Sequence, residues 1–174
     1  MSPGEFKSVF QRLYMPLCMY SLRILGSGDD AADVVQDVFA GVWSRVGEGE
    51  EIPAPGPYLY RAVRNASLNR LRSRRDTVGL DSLDEVAGDA EVAPEVMERA
   101  ERDARIWRAV DSLPAKCREV FLLSKRDGLA NKEIAGRLGI SVKTVENQIT
   151  KAFRKLRGDL GSLPLGSVFF LPFL

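Results

Sequence analysis

The stretch Asn131 to Arg157, NKEIAGRLGISVKTVENQITKAFRKLR, decides how the chain is read. It divides into a short helix, a tight turn and a longer basic helix. Ile134, Ala135 and Leu138 give the first helix an apolar side, and Gly139 tolerates the left-handed conformation that a tight turn demands. Ser141 is placed to cap the second helix, its hydroxyl accepting from the free backbone N–H groups of the first turn. At about 100° per residue, Val145, Ile149, Ala152, Phe153 and Leu156 fall on one side of that helix. Lys143, Thr144, Asn147, Thr150, Lys151 and Arg154 gather on the other, with Glu146 at the flank. Ala130 stands where a capping serine would help the first helix, unless Asn131 itself caps.

One face packs and the other is polar and basic. That is the helix-turn-helix arrangement, in which the second helix enters the DNA major groove, polar side chains meet base edges and Lys or Arg meet phosphates. The competing reading is an ordinary amphipathic hairpin with a solvated charged face, because short helix–glycine–helix patterns are common.

Composition narrows the field. A chain of 174 residues with 45% hydrophobic content can build one domain or two small ones. The formal net charge is +1, so a polyanionic partner must be signalled by how charge is distributed. With two cysteines far apart, Cys18 and Cys117, and no histidine, a zinc site, a Ser-His or Cys-His nucleophile and a histidine acid/base are disfavoured. Both cysteines lie among apolar residues on helical patterns and read as small buried hydrophobes in a reducing cytoplasm. The start, MSPGEFKSVF, carries an acid and no long apolar run, unlike a signal peptide, and a cytoplasmic location is expected.

Along the chain, Phe6, Val9, Phe10, Leu13, Leu17, Tyr20 and Ile24 recur at helical spacing, with Pro16 implying a kink or restart and an end near Gly26 to Gly28. Asp29 or Asp30 can cap a second helix, whose buried stripe is Val35, Val38, Phe39, Val42 and Val46. Its other face carries Asp33, Gln36, Asp37 and Ser44, either simply solvated or able to dock a basic partner. Gly47 to Pro57, GEGEEIPAPGP, reads as a loop. From Tyr58 to Arg75, Leu59, Ala62, Val63 and Ala66 fall on one side and Tyr58, Arg61, Arg64, Asn65, Arg72 and Arg75 on the other. Arginines 61, 64, 70, 72, 74 and 75 have no acid among residues 52–75 to pair with, which favours a polyanion over mere solvation.

From Asp76 to Asp103 acids dominate, and Gly79, Gly88 and Pro94 break any apolar period, so 76–94 reads as a flexible linker. A helix resumes near Glu95 with Val96, Ala100, Ala104, Trp107 and Val110 on one stripe. Pro114 fits the first turn of the next helix, whose Cys117, Val120 and Phe121 face a core and which Gly128 ends. The tail SLPLGSVFFLPFL is apolar, broken by two prolines and too short to span a bilayer. The expected fold is all-α, with an N-terminal helical bundle over 1–75, an acidic linker over 76–94, a helix-turn-helix domain over 95–160 and an apolar tail over 161–174.

Three motifs, RILGSGDDAADVVQDVFAGVW, YLYRAVRNASLNRLRSRR and LPAKCREVFLLSKRDGLANKEIAGRLGISVKTVENQITKAFRKLR, resemble those of bacterial RNA polymerase sigma factors of the sigma-70 family, extracytoplasmic-function group, in that family's order and spacing. The resemblance implies a dissociable promoter-specificity subunit, not an enzyme, needing neither cofactor, metal nor small-molecule substrate. It implies that Asp33, Gln36 and Asp37 dock on the clamp helices of the largest subunit of core RNA polymerase. It assigns Tyr58, Arg61, Arg64, Asn65, Arg72 and Arg75 to the minus-10 element of promoter DNA. It assigns Lys143, Thr144, Glu146, Asn147, Thr150, Lys151 and Arg154 to the minus-35 element. Glu146 stands where relatives can carry a basic base-contacting residue; an acid there accepts from cytosine N4 or faces away. The apolar tail is similar to that of a subgroup with membrane-bound anti-sigma regulators, so an anti-sigma partner is expected.

Two rival classes remain. ISVKTVENQI also fits the output domain of a stand-alone response regulator, but the N-terminal half lacks an alternating strand–helix pattern with a phosphate-accepting carboxylate cluster. A nucleic-acid-processing enzyme would want paired carboxylates or metal ligands by the basic faces, and Asp33 with Asp37 is the nearest pair.

Overall fold

The computed structural model describes residues 1–76 and 91–161, with the side chains of Arg75 and Asp76 excepted. Residues 77–90 of the expected linker and 162–174 of the expected tail lie outside the described residues. Among the described residues there are seven α-helices and no strand, in keeping with the all-α expectation: α1 (Pro3–Leu25), α2 (Gly28–Gly47), α3 (Pro55–Asp76), α4 (Pro94–Asp111), α5 (Ala115–Lys125), α6 (Asn131–Leu138) and α7 (Val142–Leu160).

Local chemistry sets the helix ends, in places differently from the sequence expectation. Ser2 and Glu5 form a reciprocal capping box that starts α1. The helix continues through Pro16 with no restart, and Gly26 closes it at φ +69°, a conformation that favours glycine. The cap of α2 is Ser27, whose hydroxyl accepts from the Asp30 N–H at 3.4 Å. Asp29 and Asp30 lie instead within the first turn, where a carboxylate complements the positive helix end. Helix α3 begins at Pro55 and not after Pro57, because first-turn N–H groups have no intrahelical partner and proline gives up nothing by lacking one. Pro114 occupies the cap position just before α5, and that helix ends at Lys125, ahead of Gly128.

The chain divides into two compact units, Met1–Arg102 and Asp103–Leu174, with the division inside α4. In the first, α1 packs on both α2 and α3. Leu17, Leu22, Val35, Leu59, Tyr60 and Val63 are almost wholly buried, and each such aliphatic side chain contributes roughly 1.5–3 kcal/mol by leaving water. Phe10, expected in the buried stripe, is 37% exposed. A polar contact crosses this core: the Ser21 and Ser67 hydroxyls are hydrogen-bonded at 2.8 Å, one donating and the other accepting. The Tyr60 hydroxyl is buried without a hydrogen-bond partner among the described residues, and burial pushes its pKa up. Cys18 is free and buried, its thiol raised to about 11 by burial.

In the second unit, Ile106, Val110, Cys117, Phe121, Ala152 and Leu156 form one cluster, and Val120, Leu123, Ile134, Ala135 and Val145 a second. Along α4, Ala104 and Val110 are buried and Trp107 half-buried in this unit, while in the first unit's part of the helix Ala100 is buried against the first core and Val96 is exposed, contrary to the stripe expected for it. Among the described residues no helix is long and apolar enough to cross a membrane.

Candidate nucleic-acid interface

Helix α7 is presented by the packing beneath it. Val145, Ala152, Leu156 and Leu160 are buried, and Ile149 and Phe153 half-buried, which is the apolar face expected from its periodicity. Phe153 meets Phe121 edge-on at 5.7 Å. The turn from α6 passes through Gly139 at φ +64°, whose N–H donates to the Ala135 carbonyl, while Ile140 N–H donates to the same oxygen at 3.0 Å. Ser141 then caps α7 as expected, accepting from the Thr144 N–H at 3.0 Å. At the start of α6 the capping position is Ala130, not Asn131. The Glu133 carboxylate accepts from the Ala130 N–H at 2.7 Å, giving half of a capping box.

On the outer face Lys143, Glu146, Asn147, Thr150, Lys151 and Arg154 are exposed. Thr144 is half-buried, its hydroxyl hydrogen-bonded to that of Ser141 at 2.8 Å, and the Thr150 hydroxyl donates to the Glu146 carbonyl at 2.9 Å. The Glu146 carboxylate stands 3.5 Å from the Lys143 ammonium, so acid and base share this face.

Helix α3 is less uniform than its sequence implies. Arg72 is exposed and donates to Asn69 Oδ1 at 3.3 Å, while Tyr58, Arg61, Arg64 and Asn65 are half-buried. Arg64 Nη1 and Asn65 Oδ1 are shut off from solvent without a hydrogen-bond partner among the described residues, so the expected polar face is partly turned inward. The positive charge of Arg64 acts on Tyr20, partly opposing the rise that burial gives that phenol. The Arg75 side chain lies outside the described residues.

The expectation that the α3 arginines lack acids fails for Arg70 and Arg74. Arg70 Nη2 donates to Asp30 Oδ1 at 3.0 Å and stands 3.7 Å from Asp33 Oδ2, and Arg74 binds the other Asp30 oxygen. The Ser27 hydroxyl, with Arg70 and Arg74, holds the Asp30 carboxyl down at about 2 against the effect of burial. These partners are 40 and 44 residues apart in sequence, and only the packing of α2 beside α3 brings them together.

Asp33, Gln36 and Asp37 share the exposed side of α2. Gln36 donates to the Tyr14 hydroxyl at 3.3 Å and borders an apolar groove of about 500 Å³ between α1 and α2, lined by Phe6, Phe10, Phe39 and the 48%-exposed Trp43. No local sequence signal marks that groove, because Phe10 reads as part of the α1 core stripe until its neighbours are placed.

Residues 9–77 match the model for Sigma-70 region 2, and residues 103–156 match the model for Sigma-70, region 4. The chain is 28% identical to ECF RNA polymerase sigma factor SigE of Mycolicibacterium smegmatis over 142 residues, covering 79% of this chain and 54% of that protein. It is 29% identical to ECF RNA polymerase sigma factor SigL of Mycobacterium tuberculosis strain H37Rv, covering 84% of each. To RNA polymerase sigma factor NccH of Alcaligenes xylosoxydans xylosoxydans it is 30% identical, covering 76% of this chain and 74% of that one. It thus spans about half the length of SigE and most of the length of the other two. The chain belongs to the sigma-70 family of RNA polymerase sigma factors, in its ECF group.

Proposed function

We propose that this chain is a dissociable sigma subunit that directs core RNA polymerase to promoters. The observation that carries the reading is the pairing of two matched regions, 9–77 and 103–156, with an exposed basic face on α7 held out by a Ser141-capped, well-packed helix. In this reading Lys143, Thr144, Glu146, Asn147, Thr150, Lys151 and Arg154 face the minus-35 element. Thr144 acts mainly through the cap, and Glu146 tempers Lys143. Residues 1–75 hold the polymerase and the minus-10 element, 95–160 the minus-35 element, and the 76–94 linker follows the polymerase's RNA path until transcript displaces it.

Tyr58, Arg61, Arg64, Asn65, Arg72 and Arg75 serve the minus-10 element, by stacking on unpaired bases and neutralising phosphates. The acids Asp33 and Asp37 with Gln36, beside the apolar groove at Trp43, offer the mixed polar and apolar surface that docking on the polymerase clamp requires. The subunit performs no catalysis itself, works in the cytoplasm and is held in check by an anti-sigma partner. The match of residues 9–77 to region 2 leaves the stand-alone regulator reading without an account of the N-terminal half.

Run-off transcription tests this. Core polymerase plus the chain is expected to initiate on a subset of a promoter library that core alone ignores, and the absence of both stimulation and binding to core would overturn the reading.

A further inference from the structure

The connection between α2 and α3 is closed by one side chain. Arg45, in the last turn of α2, donates from Nε to Glu50 Oε2 at 2.6 Å and from Nη2 to the other carboxylate oxygen, a two-pronged grip that suits a planar guanidinium. Its remaining nitrogen, Nη1, binds the Tyr58 hydroxyl, and its central carbon lies over the Tyr58 ring, 5.5 Å from the centroid. The backbone reinforces the grip: Glu50 N–H donates to the Arg45 carbonyl at 3.0 Å, and Gly49 turns the chain at φ +90°. The hydrogen bonds from Arg45 hold the Glu50 carboxyl below the usual carboxylate range, so its charge is compensated where it stands. Glu50, Ile52, Tyr58 and Arg61 are among the residues lining a pocket of about 410 Å³, with the acids Glu51 and Glu91 also at its wall.

We propose that Arg45 is a positioning residue for minus-10 recognition, which it serves by fixing Tyr58 and neutralising Glu50 at the edge of this pocket. The inference rests on the reading of Tyr58 as a minus-10 contact. Arg45 sits on the helix carrying the polymerase-docking residues and touches no DNA in this assignment. Its action is indirect. With the hydroxyl engaged by the guanidinium, Tyr58 is held in one orientation and contributes as a stacking surface, with no loss of order at the moment of binding. Removing Arg45 would release the ring and leave the Glu50 carboxylate uncompensated beside an incoming polyanion.

The test is the affinity of holoenzyme, formed from core polymerase and the full chain, for a single-stranded non-template oligonucleotide spanning the minus-10 element. Variants are compared at matched thermal midpoint and matched core-binding affinity. Tyr58→Ala is expected to weaken binding by about tenfold, within the range that loss of one base-stacking aromatic gives. Arg45→Ala and Tyr58→Phe should each weaken it by about threefold to fivefold, and the double variant no more than Arg45→Ala alone. Arg45→Lys should fail to restore wild-type affinity, since an ammonium cannot hold Glu50 with two prongs and Tyr58 with a third. Glu50→Gln in the Arg45→Ala background should recover part of the loss. Strictly additive Arg45→Ala and Tyr58→Phe effects, or full activity of Arg45→Ala beside a weakened Tyr58→Ala, would overturn the positioning role while leaving the minus-10 assignment intact. An unchanged affinity in Tyr58→Ala would overturn both.

Discussion

Arg70 of α3 donates to the Asp30 carboxylate of α2 at 3.0 Å, and Arg74 shares that carboxylate from the next turn. The helix assigned to DNA is thereby tied to the helix assigned to polymerase. Asp30 titrates at about 2 in the folded chain and at about 4 when unfolded, so its stabilising contribution is complete above the unfolded value. It is lost as pH falls from about 4 through about 2, because the unfolded chain then takes up the proton more readily. Asp30→Asn is expected to lower the thermal midpoint at pH 6 and to flatten its fall across that acid window. Parallel wild-type and variant profiles would show that Asp30 is not the responsible group.

The first turn of α6 offers a gain. Ala130 has the extended backbone of a capping residue, φ −69° and ψ 152°, and already receives Glu133, yet its side chain accepts nothing. Ala130→Ser would complete the capping box and is expected to stabilise the second unit by about 0.5–1 kcal/mol. Ser141→Ala, which strips the Thr144 N–H of its acceptor, should cost about 1 kcal/mol. Thermal melts of the two single variants check both signs.

Tyr60 invites removal of an atom. Its hydroxyl is buried without a partner among the described residues while its ring packs against Tyr20 at 5.5 Å. Tyr60→Phe keeps the ring and relieves the stranded hydroxyl, so denaturant unfolding should show stability unchanged or raised by up to about 1 kcal/mol. A loss beyond that would mean the hydroxyl has a partner in solution.

On the outer face of α7, Lys151→Ala and Arg154→Ala separate base from phosphate contact. Each should reduce transcription from minus-35-dependent promoters, by about 1–3 kcal/mol with altered base preference where the contact is to a base. Where it is to phosphate, the loss should be nearly uniform across sequences, with a shallower salt dependence by about one unit of slope. Unchanged promoter use in both variants would place the reading face elsewhere on the helix.

Much of this was legible in the residues. The α7 stripe, Ser141 cap and Gly139 turn follow from local rules that involve neighbours within one or two helical turns, as do the existence of α2 and α3. What local rules miss here is of two physical kinds. Where several residues compete for one role, as Ser27, Asp29 and Asp30 do for the α2 cap, composition does not choose between them. Where the decisive partner is distant, as Asp30 is for Arg70, a helical wheel shows a face without showing what covers it. Val96 and Phe10 read as buried from periodicity for the same reason, since periodicity marks a side of a helix but not how far its neighbour extends.

The Ser21 and Ser67 hydroxyl pair in the first core carries a lesson for exchanging parts among relatives. Each hydroxyl is tolerable in that apolar setting only because the other is opposite it. Positions 21 and 67 therefore behave as one inherited character: a chimera grafting a foreign α3 must bring along its matching residue in α1, or strand a hydroxyl where the two helices mate.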